Sequence, residues 1–112
     1  MRKFYSLILF LACALLAVAQ THASADKLFQ AGDYATAQEQ YGKLLKSYPR
    51  EALYLYRYAR CAQELGDLAT AIQYFDKAGD RYMLKYFYLG EIYLQQWYAD
   101  AAIEAYNKYL SS

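Results

Sequence analysis

Three short segments decide the fold: Gly32-Asp33-Tyr34-Ala35-Thr36-Ala37, Gly66-Asp67-Leu68-Ala69-Thr70-Ala71 and Trp97-Tyr98-Ala99-Asp100-Ala101-Ala102. Gly32 to Gly66 is 34 residues and Gly66 to Trp97 is 31. In each, an aromatic stands four residues beyond the last Ala: Tyr41, Phe75 and Tyr106. Upstream, Leu55, Tyr58, Ala59, Ala62 and then Tyr86, Leu89, Gly90, Tyr93 recur at helical spacing. Each unit therefore reads as helix, tight turn, helix. Gly at the turn allows the left-handed backbone that ends the first helix. Asp33 and Asp67 are placed to cap the second by accepting from its free N–H groups.

Small residues recur at matched places, Ala25 with Ala37, Ala59 with Ala71 and Gly90 with Ala102, which lets paired helices approach closely. One such unit cannot bury its apolar face alone, so stacking must supply the core.

On these residues the chain resembles the tetratricopeptide repeat family. Leu55, Tyr58, Ala59, Ala62, Gly66, Leu68, Ala71, Phe75 and Ala78 carry the family pattern in the second repeat. The third carries it as Tyr86, Leu89, Gly90, Tyr93, Ala102, Tyr106 and Leu110, and the first as Ala25, Leu28, Gly32, Tyr34, Ala37, Tyr41, Leu45 and Pro49. The resemblance implies an all-α fold of antiparallel helix-turn-helix repeats stacked as a short right-handed α-solenoid. The repeats are expected at about 20–51, 52–82 and 83–110, within a repeat domain spanning 20–112.

Three departures carry expectations. The leading helix of the first repeat runs into a cleavage region and is expected to be short, about Thr21 to Ala31. The second repeat is short, with Gly79 ending one helix and Asp80 capping the next. Trp97 replaces the turn Gly, so that turn must differ or be strained.

Residues 1–19 read as a signal peptide. Arg2 and Lys3 precede an apolar run from Phe4 to Ala19, and Ala17-Val18-Ala19 has the small-x-small form of a cleavage site. A second site follows Ala23. The run is short for a membrane span, so the membrane is met only if the segment stays uncleaved. Cys13 stands in a loose lipobox, but apolar residues follow it where a polar tether is expected. Export implies the periplasm or cell envelope of a bacterium, where exported chains opening with such repeats resemble envelope proteins.

The chain has 112 residues, with 12 Lys and Arg against 11 Asp and Glu. That balance argues against a nucleic-acid partner bound by counterion release. Its 15 tyrosines and small net charge argue against disorder. Two cysteines do not make a disulfide scaffold, and Cys61 is expected as a small buried residue. His22, the one histidine, has no ligand spacing suited to a metal. No phosphate loop, dinucleotide motif or nucleophile elbow occurs. Glu64 and Glu91 could share a groove, but nothing nearby suggests a nucleophile. The expectation is a non-enzyme with no cofactor, metal or small-molecule substrate.

The resemblance implies a concave groove lined by the first helix of each repeat. It assigns Asp26, Phe29 and Gln30 to the groove from the first repeat, and Leu53, Tyr56, Arg60, Gln63 and Glu64 from the second. The third contributes Leu84, Phe87, Glu91, Leu94 and Gln95. Aromatics among charges of both signs suit a peptide segment or partner helix. For Tyr56 and Phe87, groove contact and internal packing stand as equal alternatives. The family's carboxylate-clamping variant needs several cations where this chain has Tyr56, Arg60, Phe87 and Glu91, so that activity is not implied. Finally, Ile103, Tyr106, Tyr109 and Leu110 form an apolar stripe with no following helix to cover it. It would pack on further repeats or a downstream domain of a larger protein, or pair two chains as a homodimer.

Overall fold

The computed structural model of the chain describes residues 2–112, apart from the side chains of residues 2–4 and 14. The basic side chains of Arg2 and Lys3 thus lie outside the described residues. Six helices follow in order: α1 (Arg2–Gln30), α2 (Tyr34–Ser47), α3 (Ala52–Glu64), α4 (Leu68–Lys77), α5 (Leu84–Gln95) and α6 (Ala99–Leu110). No strand occurs among the described residues. Helices adjacent in sequence pack on one another, most closely within the pairs α1–α2, α3–α4 and α5–α6 and at the α2–α3 junction.

The three pair-forming turns share one hydrogen-bond pattern. Gly32 N–H donates to the Phe29 carbonyl at 3.1 Å and Asp33 N–H to the Leu28 carbonyl at 2.9 Å. Gly66 and Asp67 repeat this onto Gln63 and Ala62 at 3.0 and 2.9 Å, and Trp97 and Tyr98 onto Leu94 and Tyr93 at 3.1 and 2.8 Å. This is a helix terminus closed by a left-handed residue. Gly32 and Gly66 reach φ of 83° and 84° freely, and Trp97 is forced to 64°. The turn geometry is therefore kept and the strain is borne by Trp97. Asp33 and Asp67 cap as expected, each accepting at 3.3 Å from Thr36 and Thr70 N–H.

Two expectations about element ends are corrected. The leading helix is not confined to residues 21–31; α1 is continuous over Arg2–Gln30 because its Leu- and Ala-rich run holds no Gly or Pro to break it. Asp80 does not cap α5, which begins after Met83 without a side-chain cap. Asp80 instead accepts a hydrogen bond from the Tyr86 hydroxyl and lies 3.5 Å from Lys85 Nζ.

The core forms two clusters. Ala25, Ala37, Tyr41, Leu44 and Cys61 join α1, α2 and α3. Ala59, Ala62, Ala71, Phe75, Leu89, Ile92 and Ala105 join α3 to α6. The matched small residues Ala25, Ala37, Ala59, Ala71, Gly90 and Ala102 are all buried. Tyr41 and Phe75, at equivalent places, are the largest fully buried side chains. Lys85, 4% exposed, donates from Nζ to the Phe75 carbonyl at 3.0 Å. Its positive charge thus meets the exposed-carbonyl end of α4, the end at which cations are favoured.

Candidate functional site

The first helices of the repeats, α1, α3 and α5, carry the candidate groove residues. At the first junction, Asp26 on α1 is a shared acceptor. Its Oδ1 takes the Tyr41 hydroxyl at 2.6 Å and Arg57 Nη1 at 3.2 Å, and its Oδ2 lies 3.2 Å from His22 Nε2. Arg57 also donates to the Tyr41 oxygen at 3.3 Å and places its guanidinium 5.2 Å from the centre of the Phe29 ring. Burial and the Asp26 carboxylate push the Tyr41 hydroxyl pKa well up. His22 is half-buried on α1 with its ring 5.5 Å from that of Tyr54. Asp26 and Phe29 are thereby occupied in holding α1 to α3. Gln30 remains exposed at the end of α1.

The second junction exchanges the chemistry. Arg60 on α3 stacks its guanidinium 3.7 Å from the centre of the Tyr88 ring on α5. It donates to Gln63 Oε1 at 2.7 Å and pairs with Glu64 at 3.0 Å. Gln63 Nε2 donates to the Tyr88 carbonyl at 3.4 Å. Tyr56 is half-buried, 5.2 Å from the Tyr82 ring and 5.8 Å from Phe75. Burial, with Tyr88 close by, pushes its hydroxyl pKa up to about 12. Tyr56 thus has a packing role, whatever else it touches.

Gln63, Glu64, Glu91, Leu94 and Gln95 come together around one open depression of about 430 Å³ between the last turns of α3 and α5. Leu94 is exposed there, and Trp97, two residues beyond Gln95, is 91% exposed. Phe87 lies apart from that depression. Its ring is 6.0 Å from Tyr106 and 5.8 Å from Tyr109, so it joins the α6 end face. On that face Ile103 is 57% and Leu110 76% exposed, while Tyr106 and Tyr109 are half-buried. Glu91 accepts from the Tyr106 hydroxyl at 2.5 Å. Burial and that carboxylate push the Tyr106 pKa up to about 12.

The tetratricopeptide repeat family profile matches residues 22–83, more than half of the chain. The chain belongs to the tetratricopeptide repeat family. No characterised protein sequence matches it. Tetratricopeptide repeats generally mediate protein–protein interaction and are typically non-enzymatic scaffolds. The matched span covers the whole junction around Asp26 but only the α3 side of the one around Arg60, because it ends just before α5. The third pair, α5–α6, rests on its own turn geometry and on the Gly90–Ala102 spacing.

Residue reasoning from the sequence did not single out Arg57, Tyr88 or Lys85. Arg57 and Tyr88 stand at equivalent repeat positions, nine residues before Gly66 and Trp97. That equivalence was the available signal, since both reach back onto the preceding first helix.

Proposed function

We propose that this chain is an exported bacterial protein whose repeats, stacked as a short right-handed solenoid, bind a peptide segment or partner helix and support assembly of a complex in the periplasm or cell envelope. The observation that carries the binding reading is the depression lined by Gln63, Glu64, Glu91, Leu94 and Gln95. It combines carboxylates and amides with an exposed Leu94, and the strained, exposed Trp97 stands at its end of the stack. A bulky residue held at positive φ where Gly fits best is a feature that binding would explain.

Export is supported by α1. Residues 5–30 make a helix long and apolar enough to cross a membrane, an 18-residue stretch of it having mean hydropathy 1.9. Its residues 5–13 are exposed, and burial in the core begins near Val18 and Ala25. That suits a leader removed after Ala19 or Ala23. N-terminal sequencing of the protein from an envelope fraction should begin at Gln20 or Ser24. An intact Met1 on soluble cytosolic protein would contradict the export reading.

A second reading is favoured by the end face: the chain serves as a structural segment whose α6 packs on another helix. Ile103 and Leu110 on α6 are exposed, and Phe87 packs on Tyr109 of the same helix, as suits a face that another helix covers. The test of groove binding is affinity capture from an envelope fraction with the wild-type chain and Leu94→Lys as baits. A partner retained by the wild type and lost with Leu94→Lys supports the groove; equal retention contradicts it.

A further inference from the structure

The α5–α6 face repeats part of the interior junction around Asp26. Counting from the turn residues, Asp26 and Glu91 are equivalent, each six residues before Gly32 or Trp97. Tyr41 and Tyr106 are equivalent too, each nine residues after. Both pairs make the same bond: the Tyr41 hydroxyl donates to Asp26 at 2.6 Å and the Tyr106 hydroxyl to Glu91 at 2.5 Å. Inside the stack Arg57 of the following helix completes the group, bonding both Asp26 and Tyr41. At the end face no Lys or Arg pairs with Glu91 among the described residues.

From this correspondence we infer that the α5–α6 end face docks an amphipathic helix of a partner protein that presents an arginine to Glu91 and Tyr106. The template for that helix is α3. It meets the first repeat through Tyr54, Arg57 and Cys61, spaced i, i+3, i+7 along one face. The occupant therefore carries an aromatic residue, an arginine three residues on and a small apolar residue four beyond that. Its apolar side lies against Ile103, Leu110 and Phe87, and its guanidinium meets Glu91 and the Tyr106 hydroxyl. A second copy docking through α1 supplies no such group, because the position equivalent to Arg57 on α1 is Ala23. This inference rests on the reading of the end face as a helix-covering surface and adds the charge that surface reads.

The probe is a lactam-constrained peptide with the sequence of residues 51–66 and Cys61→Ser, its helicity checked by circular dichroism. It is labelled and titrated by fluorescence anisotropy against the full chain in mild detergent. Saturable binding is expected, weakened about tenfold by Arg57→Ala in the peptide or by Glu91→Gln in the protein, as for loss of a charged hydrogen bond. Glu91→Arg with an Arg57→Glu peptide should restore it. Binding that survives Glu91→Gln but is lost with Ile103→Asp would overturn the arginine reading and leave the helix-covering face standing. Absence of binding, or binding untouched by both substitutions, would overturn both. Self-association of the chain in sedimentation, abolished by Ile103→Asp, would assign the face to a second copy and overturn the proposal.

Discussion

The ring of Tyr106 on α6 lies directly against the α-carbon of Gly90 on α5. A Cβ built on Gly90 would stand 2.6 Å from Cε1 and 2.7 Å from Cδ1 of that ring. Gly90 occupies the place of Ala25 and Ala59 in the other repeats, and here the Tyr106 ring fills the space that a Cβ would take. Gly90→Ala should therefore destabilise the chain by about 1–2 kcal/mol, overpacking outweighing the better helix propensity of Ala. Gly42 is the control: a Cβ there meets Tyr58 Cε2 at an ordinary 3.5 Å. Gly42→Ala should stabilise by about 0.5–1 kcal/mol. Thermal unfolding of both variants checks the opposite signs; a stabilising Gly90→Ala would show that the ring moves aside freely.

The turn at Trp97 gives a prediction in which stability and binding part company. Trp97 holds φ of 64° while 91% exposed, so it bears backbone strain with little burial in return. Trp97→Gly should raise stability by about 1 kcal/mol. If Trp97 belongs to a binding surface, the same variant weakens partner capture. A variant less stable than wild type would mean that the indole makes folded-state contacts that outweigh the strain.

Several tyrosines should make the fold sensitive to alkali. Burial raises the pKa of Tyr56 and Tyr106 to about 12, and the Asp80 carboxylate, first among its causes, raises Tyr86 to about 12. Unfolded tyrosine loses its proton near pH 10. The unfolded chain thus binds fewer protons than the folded one above that pH, and stability falls as pH rises. The melting temperature should hold steady up to about pH 9 and drop between about 10 and 12. Tyr106→Phe should make the drop shallower. A melting temperature unchanged through pH 12 would contradict the assignment.

The two cysteines should differ sharply in reactivity. Cys13 is exposed and Cys61 fully buried, where burial raises its thiol pKa to about 12. At pH 8 the thiolate of Cys61 is therefore scarce as well as shielded. Maleimide should label Cys13 in the intact chain at once, and Cys61 only after denaturant is added. Rapid labelling of both in the folded protein would show that the α1–α3 core opens readily.

The repeat period, the capping aspartates and the pairs of small residues were legible because each depends on one local rule repeated in sequence. Gly32 and Gly66 announced a left-handed turn, and Trp97 announced strain at the same place. What was not legible is which charge meets which ring across a junction. Arg57 falls on Phe29 and Asp26, and Arg60 falls on Tyr88, through packing between helices about thirty residues apart. Helical periodicity locates such residues on a face but does not choose their partners. Asp80 shows the limit at the other scale: its sequence context fits a cap, yet a nearby tyrosine and a buried lysine take its carboxylate. The length of α1 was missed because a cleavage site says where a chain is cut, not where its helix begins.

The central claim is that a protein partner lies along the concave face near Leu94. The most direct measurement places a photo-crosslinking residue at Leu94 in the chain expressed in its own cells, with a matching probe at the exposed Lys46 on α2. A single discrete protein adduct from the Leu94 probe, absent from the Lys46 probe, is the predicted result. Adducts of the same partner from both positions, or from neither, would contradict the claim.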